Sequence, residues 1–528
     1  MTPAGAPFPW RIASIFFVLV PASYGVLALS LDMDANWDLR NYHYYNAYAF
    51  LEDRRGFDFL VADVPGFYNP LIDVPFFLAA EAWSARLVGF LLGFVQGLNF
   101  LPLFGIAWSI IRLEDARRRA AFAAILAGLG LVGAGALSEV GTTFYDNIVS
   151  VGPLVALWII VADWPTSRGR SVAVAGAIAG LAVGLKLPAG PLVAAVGLAF
   201  LVSAETWGRR LECTATFGVG AVVSALVLAG PWNYGLWLDY GNPLFPYLNT
   251  VFESPWALLQ DYRHSLKPAQ SWVDALLFPA FVIADPRIVG EVEFFDLRIP
   301  LLYVFVPIGL IATWWSRTGS DAPLVAVGPA RHVFATVAIA FGLWLTLFGH
   351  YRYAMGVEML APIVIVAAIG LLPLPRRLRF GFAALVLAVV AVTVRPGDWG
   401  RTAWSDKWVR VAVPPIASPD RTLVLLTGYE PLSFLVPSFP PAVRVLRIHG
   451  YFTGPQEPAN QFNTVMRAVV AAHTGPMFAL FIPNDADTAR RNLDAYGLVL
   501  DSAACRSVES SIGYMPYGFC PVIRKVGG

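Results

Sequence analysis

Apolar runs close to twenty residues long recur along this chain, and no other feature limits its fold as strongly. A helix needs roughly 20 apolar residues to cross a hydrocarbon layer about 30 Å thick. Inside that layer every backbone polar group must be satisfied within the protein. Candidate spans fall at 12–31, 87–111, 120–137, 147–162, 171–187, 189–204, 212–230, 299–316, 332–349, 355–373 and 378–394, so about 11 crossings are expected. Only 14% of the residues are charged, against about 25% in soluble domains, and the mean hydropathy is +0.61. The fold class implied is an α-helical polytopic membrane protein. The first run lacks a small-residue cleavage site and many spans follow it, so it reads as a retained helix. A net charge of +1 gives no global basic field, and no nucleic-acid partner is expected.

Basic residues orient the spans. Arg11, the loop "RLEDARRR" at 112–119, Arg168, Arg170, Arg209, Arg210, Arg317, Arg331 and "RRLR" at 376–379 all fall on one side. The positive-inside rule makes that side cytoplasmic. The N-terminus is then inside and, with an odd count, the C-terminus outside. The opposite face carries the loops 32–86, 138–146 and 231–298, within a membrane module expected over 1–395. The apolar part of 71–82 is too short to span and reads as an interfacial helix. Residues 396–528 read as a small extracytoplasmic α/β domain. Strands are expected at 422–428, 443–448 and 477–482, and helices at 461–473 and 485–497 with Asn484 as N-cap. Their alternation suggests a mainly parallel sheet. Cys505 and Cys520 can bridge in an oxidising compartment. No glycine-rich phosphate loop, Walker motif or zinc-spaced Cys/His cluster occurs, and no cofactor or metal is expected.

Several outer-face stretches concentrate chemistry. "NWDLRNYHYYNAYAF", 36–50, follows the first span and carries Asp38, Arg40, His43 and a row of aromatic rings. Helical spacing puts Asp38, Asn41, Tyr42 and Tyr45 on one face, with Asp34 joining them if the helix extends back. A partly buried carboxylate there suits a general base. An interfacial aromatic belt explains the same residues equally well. Asp146 in "SEVGTTFYD" reads as a helix cap or as a second acid. Lys186 ends an apolar span, where it either snorkels or meets a phosphate. Arg352, between Tyr351 and Tyr353 in "HYRYAM", breaks the positive-inside pattern. It has the fork geometry for a phosphate, or it pairs with Glu358 or an acid of the first loop. The stretch 230–256, rich in Trp, Tyr, Pro, Gly and Asn, reads as irregular and not as a span.

These stretches resemble the GT-C superfamily of membrane glycosyltransferases, which use polyprenyl-phosphate sugars. "WDLRNYHYYNAYAFL" (37–51) is similar to the first-loop segment of that superfamily, and "FYNPL" (67–71) to the aromatic-Pro turn after it. "GLAVGLKLPA" (180–189) resembles a glycine-spaced helix ending in Lys, and "RYAMGVEMLAPIVIVAA" (352–368) an Arg-Tyr helix with a later Pro. "YGNPLFPYLNTVFESP" (240–255), with Asn242, resembles bacterial members of the superfamily. The likeness implies Asp38 as the base that activates the acceptor. It implies Lys186 and Arg352 as donor-phosphate contacts. Asp34, Tyr42, His43, Asp146, Tyr351, Tyr353 and Asn242 are the further substrate-binding candidates. Crowding by Asp32 and Asp34 leaves the identity of the base open. The partners implied are a polyprenyl-phosphate-linked sugar, membrane lipid, and a glycan, lipid or protein acceptor. The location implied is the bacterial inner (plasma) membrane.

One carboxylate with one or two cations fits an inverting displacement, in which the phosphate leaves without protonation. A retaining hydrolase would want two carboxylates about 5 Å apart. The alternative is a transporter or flippase for a lipid-linked or small polar substrate. Transporters show internal repeats and mid-membrane charges, whereas the charges here gather at one rim. A non-enzymatic scaffold that binds envelope partners is a third reading.

Overall fold

The computed structural model describes residues 8–164, 169–263, 265–266, 269–315, 324–513 and 516–525. Arg168 and Arg317 lie outside them. The apolar segments are helical over most of their lengths. Among the described residues, six helices are long and apolar enough to cross a membrane: Trp10–Ser30, Ala85–Ile110, Trp207–Tyr240, Arg298–Trp315, Val327–Leu347 and Tyr351–Leu371. Asp146–Ala162, Arg170–Leu185, Leu187–Ser203 and Trp272–Ala284 are apolar but shorter. The expectation of 11 crossings is therefore not met by helices of spanning length. Local punctuation is the reason. Lys186 is extended and Pro188 sits in a single 3₁₀ turn, which separates two of the expected spans. Arginines crowd the start of Ala116–Leu131 and of Arg376–Thr393.

Trp207–Tyr240 departs most from expectation. Its 34 residues continue through Pro231 into the stretch read as irregular. At a 1.5 Å rise per residue it is about 51 Å long. Proline is tolerated in such helices because neighbouring groups satisfy the freed carbonyl. Small residues let Arg170–Leu185 pack closely on its first half. A Cβ at Gly180 would lie 2.1 Å from the Ala221 carbonyl oxygen, and one at Gly176 2.2 Å from that of Phe217. With Gly184 these form a glycine ridge of four-residue spacing, the close-approach pattern of membrane helices.

The chain divides into two compact units. The first is Met1–Leu31, Phe90–Gly230 and His264–Trp399; the second is Asp32–Gly89, Pro231–Arg263 and Gly400–Gly528.

The first unit is helical around one apolar core. In the second, β1 (Met33–Asp34) pairs antiparallel with β2 (Arg401–Thr402). A seven-stranded sheet follows from β3 (Val411–Ala412), β4 (Leu423–Leu426), β5 (Arg444–Arg447), β6 (Met477–Phe481), β7 (Leu498–Leu500), β8 (Arg506–Ser510) and β9 (Tyr517–Arg524). The order is β3-β8-β9-β6-β4-β5, with β7 also on β9. Only β4–β5 and β4–β6 pair in parallel. The sheet is therefore mixed, not mainly parallel, because β7, β8 and β6 all join β9 antiparallel. Leu423 to Leu426 are all buried, the pattern of a parallel strand covered on both faces. Asn460 caps Gln461–Ala472 by accepting the Asn463 N–H at 3.0 Å. Asp485, not Asn484, stands before Ala486–Asp494. Val74–Ala82 is the short apolar helix expected between 71 and 82. Cys505 and Cys520 are disulfide-bonded.

Candidate functional site

In the first unit four ionisable side chains meet at the turn 139–147. Tyr145 adopts a left-handed backbone, φ 64°, so Asp146 opens a helix instead of capping it. Gln96 braces the turn: its amide donates to the Glu139 carbonyl at 2.8 Å and accepts the Gly141 N–H at 2.8 Å. Asn99 donates to the Asn147 carbonyl at 2.6 Å. Lys186 leaves the end of its glycine-ridged helix and places Nζ 2.8 Å from Asp146 Oδ2 and 2.5 Å from the Phe144 carbonyl oxygen. Arg352 Nη1 lies 3.8 Å from the same Asp146 oxygen, and its Nη2 3.8 Å from Glu291. Aromatic faces wall the cations. The Arg352 guanidinium sits 4.1 Å from the Phe144 ring centre and 6.0 Å from that of Trp399. Lys186 Nζ lies 5.6 Å from the Tyr353 ring centre.

Glu358 is not the partner of Arg352. Its carboxylate accepts the backbone N–H groups of Gly135 and Ala136, each at 3.0 Å. Asp296 accepts the N–H of Ala134 at 2.8 Å and pairs with Arg298 at 2.5 Å. Two acids thus hold the first turn of Ala134–Ser138, which delivers Glu139 to the cluster. Gly133 is required there, since a Cβ would fall 1.9 Å from a Glu358 oxygen. Tyr351 belongs to this support and not to the cations: it is buried beside Glu358, 4.3 Å from the Phe294 ring.

Glu139 is fully buried. One carboxyl oxygen accepts the Asn147 N–H at 3.1 Å. Burial, and then the Asp146 carboxylate, raise its pKa well above the usual carboxylate range; Lys186 and Arg352 only partly oppose them. A raised folded-state pKa favours folding at low pH, and that contribution is lost as pH rises through the raised value. Glu139→Gln is therefore expected to melt as high as wild type or a few °C higher at pH 8, an order-of-magnitude figure. The difference should vanish at pH 5, as read by thermal unfolding at both pH values. A lower melting point at pH 8 would show that Glu139 is held ionised.

The second unit gathers the rest. The helix at 37–51 opens with a wide π turn, Leu39–His43, a geometry that often marks functional sites. Asn36 caps it by accepting the Leu39 N–H at 2.8 Å. Asp34 is in β1, not on the helix face, and holds the Asn36 amide at 2.8 Å through both oxygens. Asp38 is half-buried and accepts the Tyr42 hydroxyl at 3.3 Å. His43 and Asp73 form a buried pair at 2.6 Å. The Tyr42 ring meets Tyr68 edge-on at 5.4 Å, and the Tyr68 and Tyr247 hydroxyls are 2.7 Å apart. The motifs at 37–51, 67–71 and 240–255 therefore converge in this unit. Asn242 braces its own turn: it donates to the Tyr247 carbonyl at 2.9 Å and accepts the Leu244 N–H at 2.9 Å.

Sequence reasoning did not single out Glu291, Phe144 or Trp399. Phe144 had a signal, since it lies two residues before Asp146. Glu291 and Trp399 lie far from the motifs in sequence and had none.

No family model matches the sequence, and no curated protein matches it. Among solved structures, the chain is similar to the oligosaccharyltransferase of Archaeoglobus fulgidus in its apo form. The identity is 14%, the TM-score 0.42, and the match covers 91% of this chain and 71% of that one.

Proposed function

We propose that this chain is a membrane glycosyltransferase that moves a sugar from a polyprenyl-phosphate donor to an acceptor hydroxyl, with inversion. The observation that carries the reading is the convergence of Lys186 and Arg352 on the single carboxylate of Asp146. Cations among apolar helices need a partner. Asp146 supplies one negative charge for two positive ones, and Glu139 is biased towards its neutral form. Glu291, about one-third exposed, is a further acid paired with Arg352. Two cationic donors brought together beside carboxylates suit an anionic group, which would share them with Asp146 and Glu291. A phosphate leaving the anomeric carbon needs this kind of stabilisation. In the step, the acceptor oxygen bonds to the anomeric carbon and the carbon–phosphate-oxygen bond breaks. Its electron pair stays on the phosphate, and Asp38 takes the acceptor's proton. Lys186 and Arg352 would supply the positive charge that a divalent ion otherwise brings to a phosphate, so the chemistry is proposed to be metal-independent.

The test is purified full-length protein in lipid nanodiscs with polyprenyl-phosphate sugars, nucleotide sugars and an acceptor panel. Transfer is expected from the lipid phosphates alone, unchanged by EDTA, with NMR of the product showing the opposite anomeric configuration. Transfer from nucleotide sugars, retention of configuration, or movement of substrate across vesicles without any transfer would each overturn the reading.

A further inference from the structure

In the second unit the parallel strands run in the order β5-β4-β6, so the chain reverses direction across the sheet at β4. Ligands of open α/β sheets bind outside the carboxyl ends of strands at such a reversal. The loops after β4 and β5 carry an aromatic group there. Tyr429 follows β4 and is 45% exposed; Tyr451 follows β5 and is 66% exposed. Their ring centres are 4.8 Å apart, tilted by 50°. His449 meets Tyr429 edge-on at 4.6 Å, and Trp37 meets Tyr451 at 6.2 Å. Gly428, at φ 112°, lets the first loop pass close to Asp485 at the end of β6: a Cβ would sit 3.3 Å from its carboxylate. Burial, followed by the Arg447 guanidinium, pushes the His449 pKa down, so its ring is neutral at pH 7. Its Nδ1 is buried and has no hydrogen-bond partner among the described residues. The floor is Arg447, which is fully buried and donates to the carbonyls of Val61 and Gly428, each at 2.9 Å.

We propose that Tyr429, His449, Tyr451 and Trp37 form a saccharide-binding platform that seats a carbohydrate acceptor. Rings with polar tips offer an apolar face to the C–H face of a pyranose. Asp485 supplies acceptors for its hydroxyls. The outer edge of β5 is already occupied, because Phe59 donates its N–H to the Val445 carbonyl at 3.1 Å and accepts the Arg447 N–H at 3.0 Å there. An extended peptide therefore finds no strand edge to extend at β5. Trp37 immediately precedes Asp38, so one end of the platform lies at the proposed base. That placement rests on the transferase reading; saccharide binding itself does not.

The experiment is saturation-transfer NMR and calorimetry on the full-length protein in nanodiscs, with neutral oligosaccharides and an apolar peptide of similar size. Saccharide binding is expected for wild type and for Asp38→Asn alike. Tyr429→Ala and Tyr451→Ala should each weaken it by roughly tenfold, the scale of one lost aromatic contact. Tyr451→Phe should keep it. Both tyrosines are exposed, so these variants are expected to melt as wild type does. Absence of saccharide binding, unchanged binding in both alanine variants, or preference for the peptide would overturn the platform. Full transfer by Asp38→Asn would overturn the catalytic reading and leave the platform standing.

Discussion

Asp38→Asn is expected to lower the transfer rate by roughly 10²- to 10⁴-fold, the range set by losing a general base, while the protein melts as wild type does. The substitution preserves shape. Asp38 is half-buried, and the Tyr42 hydroxyl that reaches it at 3.3 Å can donate equally to an amide oxygen. What is lost is the capacity to take a proton. The two neighbouring acids provide the comparison. Asp32 is exposed, and its side chain should be replaceable without consequence. Asp34 is buried, with both oxygens on the Asn36 amide that caps the following helix. Asp34→Asn should therefore destabilise by about 1–3 kcal/mol, the cost of a spoiled buried hydrogen bond to a charged group. Single-turnover rates and melting curves on the three variants separate the roles. A rate loss confined to Asp34→Asn, with Asp38→Asn fully active, would move the base to Asp34.

The first part of that distinction was legible in the sequence. Helical spacing placed Asp38 and Tyr42 together, and they are bonded. Separating Asp34 from them was not legible. Its place depends on β1 pairing with β2, hundreds of residues away, and such a pairing leaves no trace in local periodicity. The apolar segments behaved the same way. Their helices could be read from length and composition, but their ends could not, since Pro231 passed inside a helix while Lys186 and Pro188 divided one. In the tail, β4, β5 and β6 announced themselves as buried apolar runs. The antiparallel strands did not: β9 carries Gly518, Cys520 and Pro521, and β8 is largely exposed, so neither shows a clean pattern. Lys186 and Arg352 were legible as charges out of place. Their shared partner was legible only as a residue, Asp146, and not as a partner. The motif "RYAM" gave its two tyrosines equal standing, yet a 3₁₀ turn sends Tyr353 to the cations and Tyr351 to Glu358.

That shared partner sets the second large effect. Removing the Asp146 charge leaves Lys186 and Arg352 facing one another at a buried site. Breaking a buried pair by deleting one member costs about 3–5 kcal/mol, so Asp146→Asn should lower the melting temperature markedly. Arg352→Gln should behave differently. It removes one cation and leaves Asp146 paired with Lys186 at 2.8 Å, a contact that satisfies the carboxylate. Its stability cost should be smaller, but its rate should fall by roughly 10²- to 10³-fold if the guanidinium stabilises the departing phosphate. Arg352→Lys keeps the charge without the planar fork and should recover only part of that rate. Combining Asp146→Asn with Arg352→Gln removes the repulsion that the first substitution creates. The double variant should therefore be more stable than the sum of the two by about 0.5–3 kcal/mol, the coupling expected of contacting groups. Additive stabilities would mean that Arg352 and Asp146 do not interact across their 3.8 Å. An unchanged rate in Arg352→Gln would remove the guanidinium from the chemistry, leaving Lys186 alone to hold the phosphate.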